Sequence, residues 1–411
     1  MLDKRYLLPD DAVKLILKHL TEKCLPVETL PIEECYGRVT AEDIVSPEDL
    51  PGFERSTVDG FAVKASDTFG ARESSPVYLT VKGDIPMGAI PDFSLSNGEV
   101  ASIATGGMLP EGADAVVMIE HVNVVSKDLI EVLKAVSPGE NVIFRDEDAK
   151  KGEVVIKAGH RLKPQDIGGL AGLGVTTVNV VKKPVVSIIL TGDEIVPHTE
   201  KVTPGKVRDV NSFTLAGLSY ENGAVPLKMG IVKDEYNKLK ETVQKAYQIS
   251  DIVLITGGTS AGVKDLTAKV IDELGSPGVL FHGVSIKPGK PVIGAVCNGK
   301  PVFGLPGHPV AVYICFELFV KPVINYMLGV TDKEFKKTVK AKISRSIHSQ
   351  AGREDFIRVS LEERDGEIWA TPLLSKSGLI MSLVRAHGIV NIPSQLLGVS
   401  EGDEVLVEII D

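Results

Sequence analysis

An apolar run that stops at a pair of glycines is the feature that most constrains the fold. The stretch DIVLITGGTSAGVKDLT, residues 251–267, has the pattern of a buried strand, a loop of small residues and the start of a helix. A helix N-terminus after such a loop presents free backbone N–H groups to an anion. The stretch therefore predicts an α/β domain with a site for a phosphorylated ligand. It is not a Walker A loop, because Val263 and Lys264 stand where that motif needs Lys-Ser/Thr. A plain tight turn is the alternative.

The same alternation of strand and helix patterns continues on both sides of this stretch. The apolar strand candidates from residue 184 onward are VVSIILTG, PLKMGIV, DIVLITGG, VLFHGVSI, PVIGAV and KPVFGLPG. Helical patterns cover 212–221, 235–247, 266–274 and 309–328. This alternation predicts a parallel sheet that is covered by helices on both faces. Ligands bind such sheets beyond the carboxyl ends of the strands.

The rest of the chain has other patterns. Residues 10–23 predict an amphipathic helix, and 46–145 contain short β-like runs between Gly, Pro and Asn turns. Residues 146–178 contain a strand and a glycine-rich helix that resemble a connector. From 331 onward the chain is β again, with a hairpin at Asp365 and Gly366 and a final strand, DEVLVEII. A length of 411 residues predicts two to four domains.

Composition excludes several classes of protein. The net charge is −10 and no basic run with interleaved aromatics occurs, so we expect no nucleic-acid partner. None of the four cysteines forms C-x-x-C, which predicts a reducing compartment and no zinc knuckle. The N-terminus is too charged for a signal peptide. Glu317 and Lys321 interrupt the longest apolar helical stretch, so we expect no membrane span and a cytoplasmic protein.

Carboxylates follow several of the predicted strands. Glu194 lies at the end of the strand candidate that continues into LTGDE, and Asp234 lies at the end of GIVKD. Asp265 comes after the glycine loop. A fourth strand ends in FGLPGHP, which contains Pro306 and Pro309. Taken alone, Asp193 or Asp234 could be only a helix N-cap. Because carboxylates beside phosphate-binding N–H groups suit magnesium, the set together predicts a metal and phosphate site.

Basic residues that could bind an anion occur in two further stretches. Lys287 and Lys290 flank a Pro-Gly turn in SIKPGKP, and Arg353 in GREDF offers a planar fork for an oxyanion. Lysines on a turn are more often simply solvated. An acidic protein with an anionic ligand must nevertheless concentrate positive charge somewhere. Physical reasoning alone assigns no role to Ser377 in SGLIMSL.

Two segments of the β-rich part look over-specified for simple turns. RSTVDGFAV contains Asp59, and ATGGMLPEGADAVV contains Thr105. An Asp-Gly turn is the simple explanation of the first segment. The residues themselves indicate no chemistry for either.

Together these motifs resemble the molybdopterin molybdenumtransferase family, which includes the MoeA proteins and the gephyrin E domain. RSTVDGFAV, ATGGMLPEGADAVV, TGDE, ITGGTSAGVKD, IKPGKP with FGLPGHPVA, GREDF and SGLIMSL occur in the family's order over nearly the whole chain. The resemblance implies insertion of molybdate into adenylylated molybdopterin with release of AMP, a divalent metal such as Mg²⁺, and a homodimer. It also implies a MogA-type adenylyltransferase as a partner.

The resemblance further implies four domains of α/β and β class. They are a MogA-like α/β three-layer domain of 1–23 with 179–330, a connecting domain of 24–45 with 146–178, a β domain of 46–145 and a C-terminal β-barrel of 331–411. The catalytic residues that it implies are Asp59, Thr105, Glu194, Asp234 and Asp265, of which the last three would hold the metal. The substrate-binding residues that it implies are Gly257, Gly258, Ser260, Gly262, Lys287, Lys290, Pro306, Pro309, Arg353 and Ser377.

Some residues depart from the family pattern, and other functions stay open. His308 stands where the family commonly has Asn, Ile143 and Phe144 stand where basic residues are frequent, and Glu54-Arg55 stands where Asp-Asn is common. A tungstate-inserting paralogue, a MogA-type adenylyltransferase and a scaffold are the alternatives. A lone adenylyltransferase domain would not explain the β domain and the barrel, and a pure scaffold would not need the acidic strand ends with the lysine turn.

Overall fold

A six-stranded mixed sheet organises the α/β part of the chain. The computed structural model describes residues 6–20, 25–257, 261–332 and 336–410, and for 261–265 it describes the backbone alone. From one edge of the sheet to the other, the strands are Val225–Val232, Val185–Thr191, Ile252–Gly257, Lys300–Leu305, Ile293–Cys297 and Pro277–His282. The first four are parallel neighbours, as the continuous apolar runs predict.

Helices cover both faces of this sheet. Alternate strand residues point to opposite faces, so Ile188 and Leu254 belong to one core while Ile189 and Val253 belong to the other. The helices on the first face are Pro9–His19, Asn211–Glu221 and the helical run Pro309–Cys315, Phe316–Val320 and Lys321–Met327. The helices on the second face are Tyr236–Ile249 and Ala261–Asp272. The first helix is shorter than the predicted 10–23, and residues 21–24 lie outside the described part.

One strand of the sheet contradicts the prediction of a wholly parallel sheet. Ile293–Cys297 runs antiparallel to both of its neighbours, Lys300–Leu305 and Pro277–His282. Asn298 and Gly299 connect it to the next strand with φ values of 47° and 81°. Asn-Gly between two apolar strands is a strong hairpin signal, because both residues tolerate positive φ. The sequence thus contained the evidence for this antiparallel pair.

The predicted strand VLFHGVSI is in fact divided between two sheets. The sheet strand ends at His282, Gly283 follows with φ of 103°, and Ile286–Lys287 then pairs in parallel with the strand that begins at Glu354. A side chain at Gly283 would collide with the Tyr6 ring. The chain therefore leaves the α/β sheet here and joins the C-terminal barrel.

The C-terminal region is a closed five-stranded barrel. Its strands are, in order around the barrel, Glu354–Arg364, Glu367–Pro372, Thr338–Ile343, Glu404–Ile409 and Gly388–Ile392, and the last pairs with the first. Asp365 and Gly366 form the predicted hairpin with φ values of 52° and 79°. A short pair, Ile347–His348 with Gly398–Val399, and the helix Met381–Val384 complete this region. The predicted fold class, α/β with β parts, is confirmed.

A second six-stranded sheet lies in the region of the short β-like runs. Its order is Ala115–Met118, Gly60–Val63, Glu99–Ile103, Val77–Ile85, Leu129–Val132 and Val122–Ser126. Apolar side chains pack on both faces of this sheet, in one cluster that contains Val100 and another that contains Ala101. Single helical turns lie at Ala65–Thr68 and Ile119–His121.

Short antiparallel pairs link this β region to the α/β part. They are Val27–Pro31 with Thr177–Val181, Ile44–Val45 with Val154–Ile156, and Arg55–Ser56 with Val142–Ile143. The helix Pro164–Gly172 and the turn Ile32–Glu34 pack beside them around Leu170. The exact domain boundaries given above stay a prediction.

A histidine anchors the chain that enters the barrel. His160 Nε2 lies 2.7 Å from Asp166 Oδ2, and its Nδ1 lies 2.8 Å from Asp332 Oδ2. Burial disfavours the charged imidazole, but the two carboxylates outweigh burial and raise the pKa of His160. The Thr331 N–H also donates to the Gly159 carbonyl at 3.0 Å. The connecting region therefore holds residues 331–332 by both backbone and side chain.

The helical run from Pro309 to Met327 is long and apolar enough to cross a membrane by length and composition alone. In the fold, its apolar side chains are part of the core: Val312, Phe316, Phe319 and Val320 are almost fully buried. Within the described residues it is the one helix that meets these criteria. A buried core helix explains its composition.

We predict that Gly257→Ala destabilises the α/β part, whereas Gly217→Ala does not. Gly257 has φ of 138°, and a Cβ there would overlap the Thr191 carbonyl, while Gly217 lies on an exposed helix face with no atom within 4 Å of such a Cβ. We expect Gly257→Ala to cost about 2 kcal/mol or more and Gly217→Ala to stabilise by about 0.5 kcal/mol. Urea unfolding measures both. Equal stabilities would contradict this explanation of Gly257.

Candidate active site

The carboxyl ends of the parallel strands meet at one edge of the α/β sheet. Thr191 is in register with both Val232 and Gly257, and Thr256 is in register with Leu305. Residues that follow these strands therefore lie along the same edge. This pairing brings Glu194, Asp234, Gly257 and Pro306 to one side of the molecule.

Asp234 is bonded at this edge rather than used as a helix cap. The Thr191 hydroxyl donates a hydrogen bond to Asp234 Oδ1. The next helix has Glu235 at its N-cap position, without a side-chain cap bond. The N-cap explanation of Asp234 therefore has no support. Glu194 lies over Gly192, where a Cβ would be 2.9 Å from Glu194 Oε2.

The three carboxylates predicted to bind a metal are only partly described. Glu194 and Asp234 lie at the same edge, but the side chain of Asp265 is outside the described part. Among the described residues, no group of three His, Cys, Asp or Glu side chains is arranged to hold a metal. The magnesium site therefore stays a prediction.

The glycine loop is also only partly described. Gly257 ends its strand, whereas Gly258 and Ser260 lie outside the described residues. The helix that follows begins at Ala261, so Gly262 is in its first turn and the helix begins earlier than the predicted residue 266. The predicted contact of this loop with phosphate stays a prediction.

A cleft of about 760 Å³ lies between the α/β part and the barrel. Tyr6 and residues 285–291, 306–308, 311, 350–353, 356–358 and 373–377 line it. Five residues that the sequence predicts to bind substrate are among them: Lys287, Lys290, Pro306, Arg353 and Ser377. Pro309 is not in the lining but begins the helix that follows His308. The cleft therefore unites residues from two distant parts of the sequence.

The charge of this cleft is the reverse of the charge of the whole chain. Its lining contains five basic residues: Lys287, Lys290, Arg353, Arg358 and Lys376. Among the described lining residues there is no Asp or Glu, although the chain as a whole has a net charge of −10. Low-dielectric walls with one sign of charge concentrate ligands of the opposite sign. The cleft is therefore suited to bind an anion.

Neighbouring groups fix two of these basic side chains. Arg353 donates from Nε and Nη2 to the buried Asp355, at 2.8 and 3.2 Å, and from Nη1 to Gln350 at 3.0 Å. This bidentate pair orients the guanidinium and leaves part of its donor set for a ligand. Lys290 Nζ lies 4.4 Å from the centroid of the Tyr6 ring, a cation–π contact.

A direct bond joins the two walls of the cleft. His308 Nδ1 lies 2.8 Å from Ser377 Oγ, and the Val310 N–H donates to the Ser377 carbonyl at 3.1 Å. His308 precedes the α/β helix, whereas Ser377 belongs to the barrel region. Ser377 is therefore held by both its side chain and its backbone at the start of a helix.

The sequence reasoning missed Arg358 and Lys376, which both line the cleft. Arg358 is 7% exposed, and burial lowers its pKa. It follows Phe356 by two residues in a strand, so strict alternation places both side chains on one face. Phe356 packs in the core of the α/β part, so its apolar side chain is a signal that this face is buried. A charged residue on a strand normally indicates the solvent face, which hides that signal.

Asp59 and Thr105 form a bonded pair in the β region and do not line the cleft. Asp59 Oδ1 accepts from the Thr105 backbone N–H at 2.7 Å and from its hydroxyl at 2.9 Å. These bonds, the backbone bond first, lower the pKa of Asp59. The two residues are therefore bonded to each other and lie outside the cleft that Lys287, Lys290 and Arg353 line.

Fold and site define the class of protein: a multidomain α/β and β protein with an anion-binding cleft between an α/β sheet and a barrel. Three family descriptions match the chain: "MoeA N-terminal region (domain I and II)" over 8–174, "Probable molybdopterin binding domain" over 187–326 and "MoeA C-terminal region (domain IV)" over 340–410. The chain belongs to the MoeA family.

Individual relatives agree over the full length. A Bacillus subtilis protein named molybdopterin molybdenumtransferase is 35% identical and covers 100% of this chain and 96% of its own. A protein of Methanocaldococcus jannaschii is 38% identical, with 96% of both chains covered. The crystal structure of the molybdopterin biosynthesis MoeA protein of Pyrococcus horikoshii OT3 matches with a TM-score of 0.84 and 37% identity, over 98% of this chain and 100% of that chain.

We predict that Thr105→Val raises the pKa of Asp59 without restoring its ordinary value. The substitution removes the hydroxyl donor, but the backbone N–H that contributes most to the lowered pKa remains. An NMR pH titration of the Asp59 carboxyl carbon measures the change. The carboxyl of Asp49, held by the Lys151 N–H and Arg145, is the internal control and should not shift. An unchanged Asp59 titration would contradict the role of the hydroxyl.

Proposed function

We propose that this protein inserts molybdate into adenylylated molybdopterin and releases AMP. As a member of the MoeA family it belongs to molybdenum cofactor biosynthesis, and relatives of full length are named molybdopterin molybdenumtransferase. The observation that carries the proposal is the cleft with five basic residues and no described acidic one. Both substrates are anions, and such a cleft favours their binding together.

The reaction needs positioning and charge neutralisation more than covalent help from the protein. Cleavage of a phosphoanhydride spreads negative charge over phosphate oxygens, which fixed cations stabilise. Lys287 and Lys290 supply two such cations, and Arg353 presents a guanidinium already oriented by Asp355. Ser377 Oγ, held against His308, adds a hydroxyl beside them. We assign molybdate and the substrate phosphates to this group of side chains.

We propose that the acidic strand ends hold Mg²⁺. Glu194 and Asp234 offer only oxygen donors at one sheet edge, and Asp265 would join them, which fits a hard cation. When bound, the metal would supply Lewis-acid polarisation of the phosphoanhydride. The Thr191 hydroxyl holds Asp234 in place for that role by donating to its Oδ1.

We also propose a homodimer in which each active site is shared. Asp59 and Thr105 resemble family site residues, yet they lie in the β region and outside the cleft lining. A second copy can bring this pair to the cleft of its partner, and two-fold symmetry then gives two equivalent sites. A cytoplasmic location and a MogA-type adenylyltransferase that supplies the adenylylated substrate complete the proposal.

The proposed activity is tested by incubating the purified protein with adenylylated molybdopterin, molybdate and Mg²⁺. We expect AMP and molybdenum cofactor to form in equal amounts, and chelation to stop both until Mg²⁺ is restored. Tungstate in place of molybdate tests the oxyanion preference. Formation of adenylylated molybdopterin from ATP and molybdopterin, without AMP release, would instead establish an adenylyltransferase. If neither reaction occurs, the scaffold alternative gains support.

The shared site predicts complementation between two inactive chains. A heterodimer of an Asp59→Ala chain and a Lys287→Ala chain contains one site with both native residues and one with both lesions. We therefore expect about half of the wild-type AMP release, because one of the two equivalent sites is intact. The mixed dimer is purified with two different tags.

The control for complementation is a heterodimer of Asp59→Ala with Lys245→Ala. Lys245 is exposed on the helix Tyr236–Ile249 and lies outside the cleft lining. If sites are shared, this heterodimer also retains one intact site and about half of the activity. Activity of the Asp59 and Lys287 heterodimer no higher than that of the two single-mutant homodimers would refute a shared site.

A further inference from the structure

In the part of the chain that the structure describes, Arg358 is a buried cation without a carboxylate partner. It lies in the strand Glu354–Arg364, is 7% exposed and belongs to the cleft lining. Among the described residues its hydrogen-bond acceptors are two backbone carbonyls and a hydroxyl, and its Nε is buried without a partner. Burying a charge without a counter-charge costs stability. Such a residue is therefore expected to serve a purpose other than stability.

The guanidinium holds both ends of one segment of the barrel region. Its Nη2 donates to the carbonyls of Leu373 and Ser375, at 3.2 and 2.9 Å, and its Nη1 donates to Ser382 Oγ at 3.1 Å. We call residues 373–382 the cleft segment. Lys376 and Ser377 lie between these attachment points and line the cleft.

The cleft segment in turn contacts the opposite wall. Ser377 Oγ bonds to His308 Nδ1, and the Ser377 carbonyl accepts from the Val310 N–H. Hydrogen bonds thus fix the segment from two sides, to Arg358 in the barrel and to the start of an α/β helix. Arg358 fixes the segment on both sides of Ser377. Removal of the Arg358 guanidinium would therefore let the Ser377 hydroxyl occupy several positions.

We propose that Arg358 is a positioning residue, which fixes the cleft segment so that Ser377 presents its hydroxyl to the bound oxyanion in one arrangement. This inference rests on the proposed function, since the oxyanion is the proposed substrate. The planar fork of arginine reaches three acceptors in different directions, whereas a lysine ammonium is a compact charge on a flexible stem. The shape of Arg358 therefore matters as well as its charge.

The first test follows the mobility of the segment without any substrate. In Arg358→Lys we expect the Ser375 and Leu379 amides, which are hydrogen-bonded inside the segment, to exchange with deuterium roughly tenfold faster, as local opening becomes easier. Arg345→Lys is the matched control, because Arg345 donates to the Pro372 carbonyl at 2.8 Å but does not line the cleft. Unchanged exchange in Arg358→Lys would overturn the proposal.

The second test asks whether Arg358 acts through Ser377. We expect Arg358→Lys and Ser377→Ala each to raise the KM for molybdate about tenfold, with a smaller fall in kcat. The double variant should be no worse than the more impaired single variant, because coupled residues are not additive. Additive effects, or full activity of Arg358→Lys, would overturn the proposal.

The variant Ser382→Ala tests the same contact without replacing Arg358, so it avoids the loss of a buried arginine that could unfold the barrel region. Ser382→Ala removes one acceptor of Arg358 and leaves the buried guanidinium in place. It should give a smaller rise in exchange, limited to the part of the segment near Leu379, whose carbonyl also accepts from Ser382. If the wild-type protein releases no AMP, the proposed function fails, while the exchange measurements still decide whether Arg358 fixes the segment.

Discussion

The pairing of two residues onto the barrel determines where the site can form. Ile286–Lys287 leaves the α/β sheet and pairs with Glu354 and Asp355 at the start of the first long barrel strand. The Glu354 N–H also donates to the Ser285 carbonyl at 2.9 Å. One short strand is thus shared between two folding units, so the barrel cannot shift without breaking backbone hydrogen bonds. The cleft and all its cations depend on that attachment.

Acidic and basic side chains occupy different places in this fold. Glu194 and Asp234 follow the parallel strands, whereas the lining of the cleft next to Pro306 is basic. The proposed binding of anions by an acidic chain needs such a division, because carboxylates inside the cleft would repel them. The proposed divalent cation would contact carboxylates and phosphate oxygens together.

The sequence predicts those features of the fold that depend on short runs of neighbouring residues. The apolar runs indicated the parallel strands, and the order of strand ends indicated that Asp234 and Pro306 lie on one side. The antiparallel strand departs from the expected parallel order because the Asn298-Gly299 hairpin overrides the alternation of strands and helices. Arg358 was missed for a different reason: only tertiary packing can bury a strand arginine. The positions of Gly258, Ser260 and the Asp265 side chain still rest on the sequence alone.

The histidine between Asp166 and Asp332 gives the barrel a second attachment, independent of the shared strand. Thr331 and Asp332 precede the barrel, and Gly159 and His160 of the connecting region bond to them. Because the folded pKa of His160 is raised, its stabilising charge is complete below the ordinary histidine pKa and disappears as pH rises through the folded value. One of the two attachments of the barrel is therefore stronger in mildly acidic solution than in alkali.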